Sequence, residues 1–284
     1  MALYCGPHAC FDCGSRLVSL CKLVRYRAGA RNLRRREFAA LRGRVGLVSF
    51  PRSGSTLMRL LLEQRTGLCT GSDGSLAWPL VFRLRAVGLQ GEGRVDCWCV
   101  KSHWPERRGR HCRVAAAVLI ARNPFDAIES MWHFLATRSH ERTSRRREPA
   151  RWDAHVRGHA RSWAAFHDHW LAVAADVVRF EDIVEAGEAR DAAVERVVAL
   201  GLALGAPIPE RAAMRPTTLA RARRSGRVGA GLAHFSADQR AFVLATCGAS
   251  MNALGYDDSG AAAAEPRRPA EPRLIGDGIA LSAH

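Results

Sequence analysis

The sequence predicts an α/β fold in which a parallel sheet carries helices on both faces. Three observations lead there. Short apolar runs of strand length recur at Val45–Phe50, Asp96–Lys101, Ala115–Ala121 and Asp176–Phe180. Longer segments with apolar residues at helical spacing separate them. The runs are apolar through their interiors rather than alternating, as suits strands buried on both faces, and strands that alternate with helices pair in parallel.

The elements follow in order. Residues 1–44 are basic, contain cysteine and lack sustained periodicity, so they are expected to lie outside the core. Val45–Phe50 is the first strand, and Pro51–Ser55 breaks it. Thr56–Arg65 sets Leu57, Leu60 and Leu61 at helical spacing, with Gly67 closing the helix. Gly71–Gly74 reads as loop and Trp78–Val87 as a short helix. Asp96–Lys101 and Ala115–Ala121 are the second and third strands. Pro124 then opens a helix to Ser139 whose inner stripe is Ile128, Met131, Trp132 and Leu135. Arg142–Arg151 is expected to be a solvated linker, after which Trp152–Val173 buries Val156, Trp163, Phe166 and Trp170. Asp176–Phe180 is a fourth strand, Asp191–Leu204 a helix, and Gly205–Pro216 irregular. The last helix, Ser236–Leu254, begins with a serine cap and an acidic residue, Asp238, in its first turn. After Asp257 the chain turns to Ala, Pro, Arg and Glu, so residues 257–284 are expected to be a disordered tail and 45–256 the folded domain.

A chain of 284 residues suits one such domain with tails, and its 48% hydrophobic and 25% charged shares are those of a globular protein. No run reaches about eighteen apolar residues, so no membrane span is expected. Leu17–Val24 is short, is interrupted or flanked by Arg16, Lys22 and Arg25, and precedes no small-residue cleavage site. A signal peptide is not expected, which by itself points to the cytoplasm. The net charge of +16 favours an anionic partner: nucleic acid, an anionic membrane face or a polyanionic small molecule. The charge is almost all arginine, with lysine only at Lys22 and Lys101. The nine cysteines form no evenly spaced framework, and reduced thiols are expected. Cys97 and Cys99 stand two apart on a strand and are expected to face the same side. Cys5, Cys10 and Cys13 have an iron–sulfur-like spacing without a matching fold, so no metal is expected there.

Three motifs stand at strand ends. Ser49–Leu57 (SFPRSGSTL) lies at a strand-to-helix junction. Gly54 permits close approach of the backbone, the helix that follows directs its free N–H groups at the same spot, and Arg52, Ser53, Ser55 and Thr56 add a cation and hydroxyls. This is an anion cradle, though a plain strand–turn–helix has similar residues. It is not a Walker A motif, for both the spacing and the lysine are missing. Ala121–Ser130 (ARNPFDAIES) is a second junction, with Arg122 at the strand end and Pro124 at the first helical position. Val100–Pro105 (VKSHWP) follows an apolar strand and sets Lys101 and His103 on one side, although a lone histidine is more often structural than catalytic.

Together, P-R-S-G-S-T, K-S-H-W-P and R-N-P-F-D-A-I-E-S resemble the sulfotransferases that use 3′-phosphoadenylyl sulfate (PAPS). Val48–Ser72, with F-P-R-S-G-S-T and E-Q-R-T-G-L-C-T-G-S, is most similar to the WSC-domain-containing members, in their sulfotransferase domain alone. The resemblance covers Val45 to Tyr256, and Arg179–Asp182 and Arg224–Gly226 resemble the family's later motifs. It implies a P-loop-type sheet. It implies further that Arg52, Ser53, Gly54, Ser55 and Thr56 hold the 5′-phosphosulfate, and that Arg122 and Ser130 bind the 3′-phosphate. Arg224 and Gly226 would close over that phosphate. Lys101 and Arg52 would support the transferring sulfonate, and His103 would be the base for the acceptor hydroxyl. No metal is implied. The acceptor class implied is a glycan, with sialylated glycans among the candidates, and the family is usually anchored in the Golgi. In some carbohydrate-acting relatives the base is a glutamate, which makes Glu63 the alternative to His103.

The departures are Leu57 where many members carry Trp, Phe180 where they carry Tyr, and Ser225 in place of a Lys. Other residues have plainer readings. Asp126 and Glu129 are expected to be a solvated pair, and Arg34–Arg36 and Arg145–Arg147 solvated runs. His155 and His159 share a helix face and are expected to pack rather than bind metal. Two rival functions stand beside the sulfotransferase. A P-loop kinase is disfavoured by the missing Walker A lysine. A nucleic-acid-binding protein is disfavoured by the lack of interleaved aromatic and basic residues, so no nucleic-acid partner is expected.

Overall fold

The computed structural model describes residues 30–74, 94–105, 112–137, 143–144, 147–210, 228–269, 274 and 278–280. In chain order the elements are α1 (Arg35–Ala39), β1 (Val45–Ser49), α2 (Ser55–Thr66), β2 (Gly71–Ser72), β3 (Cys99–Ser102), β4 (Arg113–Val114), β5 (Ala116–Ala121), α3 (Pro124–Thr137) and α4 (Pro149–Val173). There follow β6 (Asp176–Arg179), α5 (Phe180–Val184), α6 (Glu188–Ala203), a 3₁₀ turn (Gly231–His234), α7 (Ala237–Ala253) and β7 (Ile279–Ala280).

Five strands form one parallel sheet in the order β2-β3-β1-β5-β6. The predicted α/β class, with its parallel sheet between helical layers, is the observed one. Strand periodicity explains the two layers. On β5, Ala117, Leu119 and Ala121 enter one apolar cluster, with Phe125, Trp163 and Phe166 of α3 and α4. Ala116, Val118 and Ile120 point the other way, into a cluster with Met58 and Leu62 of α2 and Val194 and Val197 of α6. Neither face meets water, so no polar alternation is needed.

β1 lies at the centre, between β3 and β5, in register Val45↔Cys99 and Val45↔Ala116. From β1 the chain builds one half of the sheet and then crosses to build the other. Such a switch opens a crevice at the carboxyl ends of the strands, where open parallel sheets bind ligands.

Several expectations need correction. Gly71–Ser72 is not loop but a short edge strand, with Ser72↔Lys101 in register; two residues are too few to show a period. Residues 30–44 dock on the core: Arg31 N–H donates to Gly67 O at 2.8 Å and Arg42 N–H to Leu204 O at 2.9 Å. The described part of the expected tail is also folded. Arg267 N–H donates to Ala253 O at 2.8 Å, and β7 pairs antiparallel with β4. Backbone hydrogen bonds hold both segments, and these leave no apolar period in the sequence. Cys97 sits in a bend and packs in one cluster while Cys99 packs in the other, so the two thiols face opposite sides. Both are free, and burial lifts the Cys97 thiol to about 12. His155 and His159 pack as expected, their ring centres 4.1 Å apart and His155 Nε2 on the Ile128 carbonyl at 2.9 Å. Burial lowers both imidazoles, His159 to about 4. Cys5, Cys10, Cys13, Leu17–Val24 and Trp78–Val87 lie outside the described residues. Among those described, no helix is long and apolar enough to cross a membrane.

Candidate functional site

The Ser49–Leu57 turn takes a conformation that few residues tolerate. Arg52 has φ 75° and Gly54 φ 94°, both left-handed. A left-handed non-glycine residue costs on the order of 1–2 kcal/mol. Neighbours hold Arg52 in it: its carbonyl accepts from Arg122 Nη1 at 3.2 Å, and its Nε donates to Ser130 Oγ at 3.1 Å. Ser53 N–H donates to Phe50 O at 3.2 Å and closes the turn, and amides that follow a left-handed residue can form an anion-binding nest. α2 starts immediately after Gly54 and no side chain caps it, so its first N–H groups lack intrahelical acceptors and add to the nest. Ser53 Oγ is buried and has no hydrogen-bond partner.

Gly54 is required here twice over. Besides its φ, a Cβ added at this position would lie 2.5 Å from Phe180 Cδ2. Gly54→Ala is therefore expected to lower stability by about 2–4 kcal/mol, from backbone strain plus overpacking. Chemical denaturation of the variant checks this, and a loss under about 0.5 kcal/mol would mean the turn readily relaxes.

Arg122 faces the nest from the end of β5. Its guanidinium stacks on Phe180 at 4.4 Å, its Nη2 lies 3.6 Å from Asp126 Oδ2, and its Nε is buried without a partner. Trp163 Nε1–H donates to the Arg122 carbonyl at 3.1 Å and fixes the strand end. Arg52, Ser53, Gly54, Ser55, Thr56, Arg122 and Ser130 thus form one locale. Arg224 and Gly226 lie outside the described residues. Phe180 is the floor under both Gly54 and Arg122, a role that its position in the sequence did not signal.

β3 supplies the third side. Lys101 is buried, and the His103 ring reaches across to β1, with Nδ1 2.7 Å from Ser49 O and 3.2 Å from Ser49 Oγ. A carbonyl only accepts, so Nδ1 carries the proton in the neutral ring and the basic lone pair is on Nε2. Ser49 opens the cradle motif three residues before Arg52, so His103 is bonded to the motif's first residue.

Glu63, the alternative base, is placed away from this locale. It is buried, and its Oε1 accepts from Thr70 N–H at 2.8 Å and Thr70 Oγ at 2.7 Å, while Arg59 Nε binds the same hydroxyl at 3.0 Å. Eight residues past the start of α2, it lies about 12 Å along the helix from the cradle.

Asp126 and Glu129 are not a solvated pair either. Asp126 is buried and accepts from Gly229 N–H and Gly231 N–H, each at 2.8 Å, clamping that segment to α3. Glu129 Oε1 meets Arg147 Nη2 at 2.6 Å and His234 Nδ1 at 2.5 Å. Burial lifts the Glu129 carboxyl to about 7 against the pull of Arg147. Arg147 is accordingly no solvated charge; its guanidinium also lies over Trp152 at 5.2 Å. Arg145 and Arg146 lie outside the described residues. A period-based argument misses these contacts because the partners, Arg147 at 18 residues and Gly229 and Gly231 at 103 and 105, come from other elements and turn a helix face inward.

Glu181 lies in the Arg179–Asp182 motif, to which the sequence assigned no role. It accepts from Asn123 N–H and Nδ2, each at 3.1 Å, and from Tyr256 OH at 2.7 Å. Burial, the largest influence, raises its carboxyl above the ordinary range. The effect is to tie the β5–α3 junction to the β6–α5 junction, which keeps Arg122 above Phe180. Among the described residues, no group of three or more His, Cys, Asp or Glu side chains converges as metal ligands would. No protein-family model matches the chain, and no solved structure matches it.

Proposed function

We propose that the protein is a sulfotransferase that moves a sulfonate group from 3′-phosphoadenylyl sulfate to an acceptor hydroxyl, with a glycan as the acceptor class. One observation carries most of this. Two buried donors, Ser53 Oγ and Arg122 Nε, stand without partners at neighbouring strand ends joined by the Arg122–Arg52–Ser130 chain. Buried donors of this kind cost about 1–3 kcal/mol each unless a ligand satisfies them. A cation-rich locale with two such donors suits a ligand with two separate anionic groups. The nest and the α2 N-terminus suit one phosphate, and Arg122 with Ser130 suits the other.

The proposed roles follow from the chemistry. When bound, the donor supplies the sulfonate: the acceptor oxygen bonds to sulfur as the bond from sulfur to the bridging phosphate oxygen breaks, and that oxygen leaves with the electron pair. His103 Nε2 takes the proton of the acceptor hydroxyl. Arg52, Lys101 and the N–H groups of the nest stabilise the charge that spreads over the sulfonate and the departing phosphate. Catalysis is then mainly positioning and electrostatics.

Ligand-induced stabilisation tests the reading. Adenosine 3′,5′-bisphosphate at about 100 times its Kd is expected to add about 2.7 kcal/mol, a rise of about 5–10 °C in Tm. ATP at the same concentration is expected to add little. Equal stabilisation by ATP would replace the sulfotransferase with a nucleotide-dependent phosphotransferase.

A further inference from the structure

We propose that Asp73 is a positioning residue for His103: through Ser102 it fixes the turn that holds the imidazole on the Ser49 carbonyl, so that Nε2 is the nitrogen presented for proton transfer. The role in proton transfer rests on the sulfotransferase reading, whereas the coupling itself does not.

Asp73 follows the edge strand β2, and its N–H donates to Lys101 O at 3.0 Å, which continues the β2–β3 pairing and sets its carboxylate beside Ser102. Both side chains are buried, Asp73 at 3% and Ser102 at 0% exposure. Ser102 Oγ donates to Asp73 Oδ2 at 2.6 Å and accepts from Trp104 N–H at 3.0 Å. A hydroxyl has one proton. With that proton drawn to a carboxylate in a short charge-assisted bond, its lone pairs are turned toward the Trp104 amide. On the far side, the Trp104 carbonyl accepts from Trp170 Nε1 at 3.0 Å. Residues 102 and 104 are therefore both tied, and His103 stands between them with its side-chain direction set. The Ser49 bond then selects the tautomer. Without Asp73 the Ser102 hydroxyl is free to rotate, the Trp104 amide loses a fixed acceptor, and the ring loses the part of its constraint that comes from the turn.

The test is the tautomeric state of His103, read from long-range ¹H–¹⁵N spectra of histidine-labelled full-length protein and assigned with His103→Gln. The parent is expected to show one neutral tautomer, protonated on Nδ1. Asp73→Ala and Ser102→Ala are each expected to give a mixture of the two neutral tautomers. Asp73→Asn, whose amide oxygen still accepts from Ser102, is expected to keep the parent signature. A single Nδ1-protonated tautomer persisting in folded Asp73→Ala or Ser102→Ala overturns the proposal, as does an Nε2-protonated parent. If Asp73→Ala does not fold, Ser102→Ala and Asp73→Asn decide the matter. Failure of adenosine 3′,5′-bisphosphate to bind would instead sink the sulfotransferase reading and leave the tautomer result standing.

Discussion

Alanine in place of His103 is expected to lower sulfonate transfer by about 10²- to 10⁴-fold, the usual worth of a positioned general base. Donor binding is expected to stay within about threefold of the parent, because the ring is held by Ser49 while Arg52 is held by Ser130. The two effects separate cleanly in measurement. Product formation from labelled 3′-phosphoadenylyl sulfate across a panel of glycans, phenols and steroids reports turnover. Stabilisation by the bisphosphate reports the donor pocket. Added imidazole is expected to restore part of the lost rate by occupying the space the ring leaves. Glu63→Gln, by contrast, should act on stability, since Glu63 serves Thr70. Full activity in His103→Ala would remove the base assignment.

Arg122→Ala is expected to weaken adenosine 3′,5′-bisphosphate by on the order of 100-fold. The estimate is one or two hydrogen bonds to a charged group at about 1.5–3 kcal/mol each, with about 1.4 kcal/mol for each factor of ten. Arg122 is 4% exposed and stacked on Phe180, so little solvent screens its interaction with a ligand. Removing it also takes the Arg122 donor from the Arg52 carbonyl, so stability must be measured alongside. Comparison with adenosine 5′-phosphosulfate, which lacks the 3′-phosphate, isolates the role. The variant is expected to affect that ligand far less than the bisphosphate. Equal losses for both would assign Arg122 to the architecture of the turn, not to the second phosphate.

How much of this was legible follows from where each signal resides. To within one residue at each end, the strand Val45–Ser49 and the helix Ser55–Thr66 were readable because they rest on local apolar pattern and on glycine chemistry. Within one residue, the same holds for β5 and α7. Gly54 at φ 94° was legible for the same reason: few other residues suit a turn so close to a helix start. β2 escaped because a two-residue edge strand has no period, and its hydrogen bonds come from β3. The 30–44 segment and the described residues past Asp257 escaped because carbonyls and amides of distant residues hold them.

For the candidate site, the chain alone named the three strand ends and the residue types fit for an anion and a base. It determined that Arg52, Arg122 and His103 would stand at carboxyl ends of strands, since strand length and helix start are local properties. Only the tertiary structure decided which of them meet and what supports them. Arg52 bonds Ser130 across 78 positions, His103 reaches Ser49 across 54, and Glu181 gathers Asn123 and Tyr256 from 58 and 75 away. The registers of β1 with β3 and β5, and of β5 with β6, fix those meetings. A parallel pairing joins segments that no short-range pattern in the sequence relates.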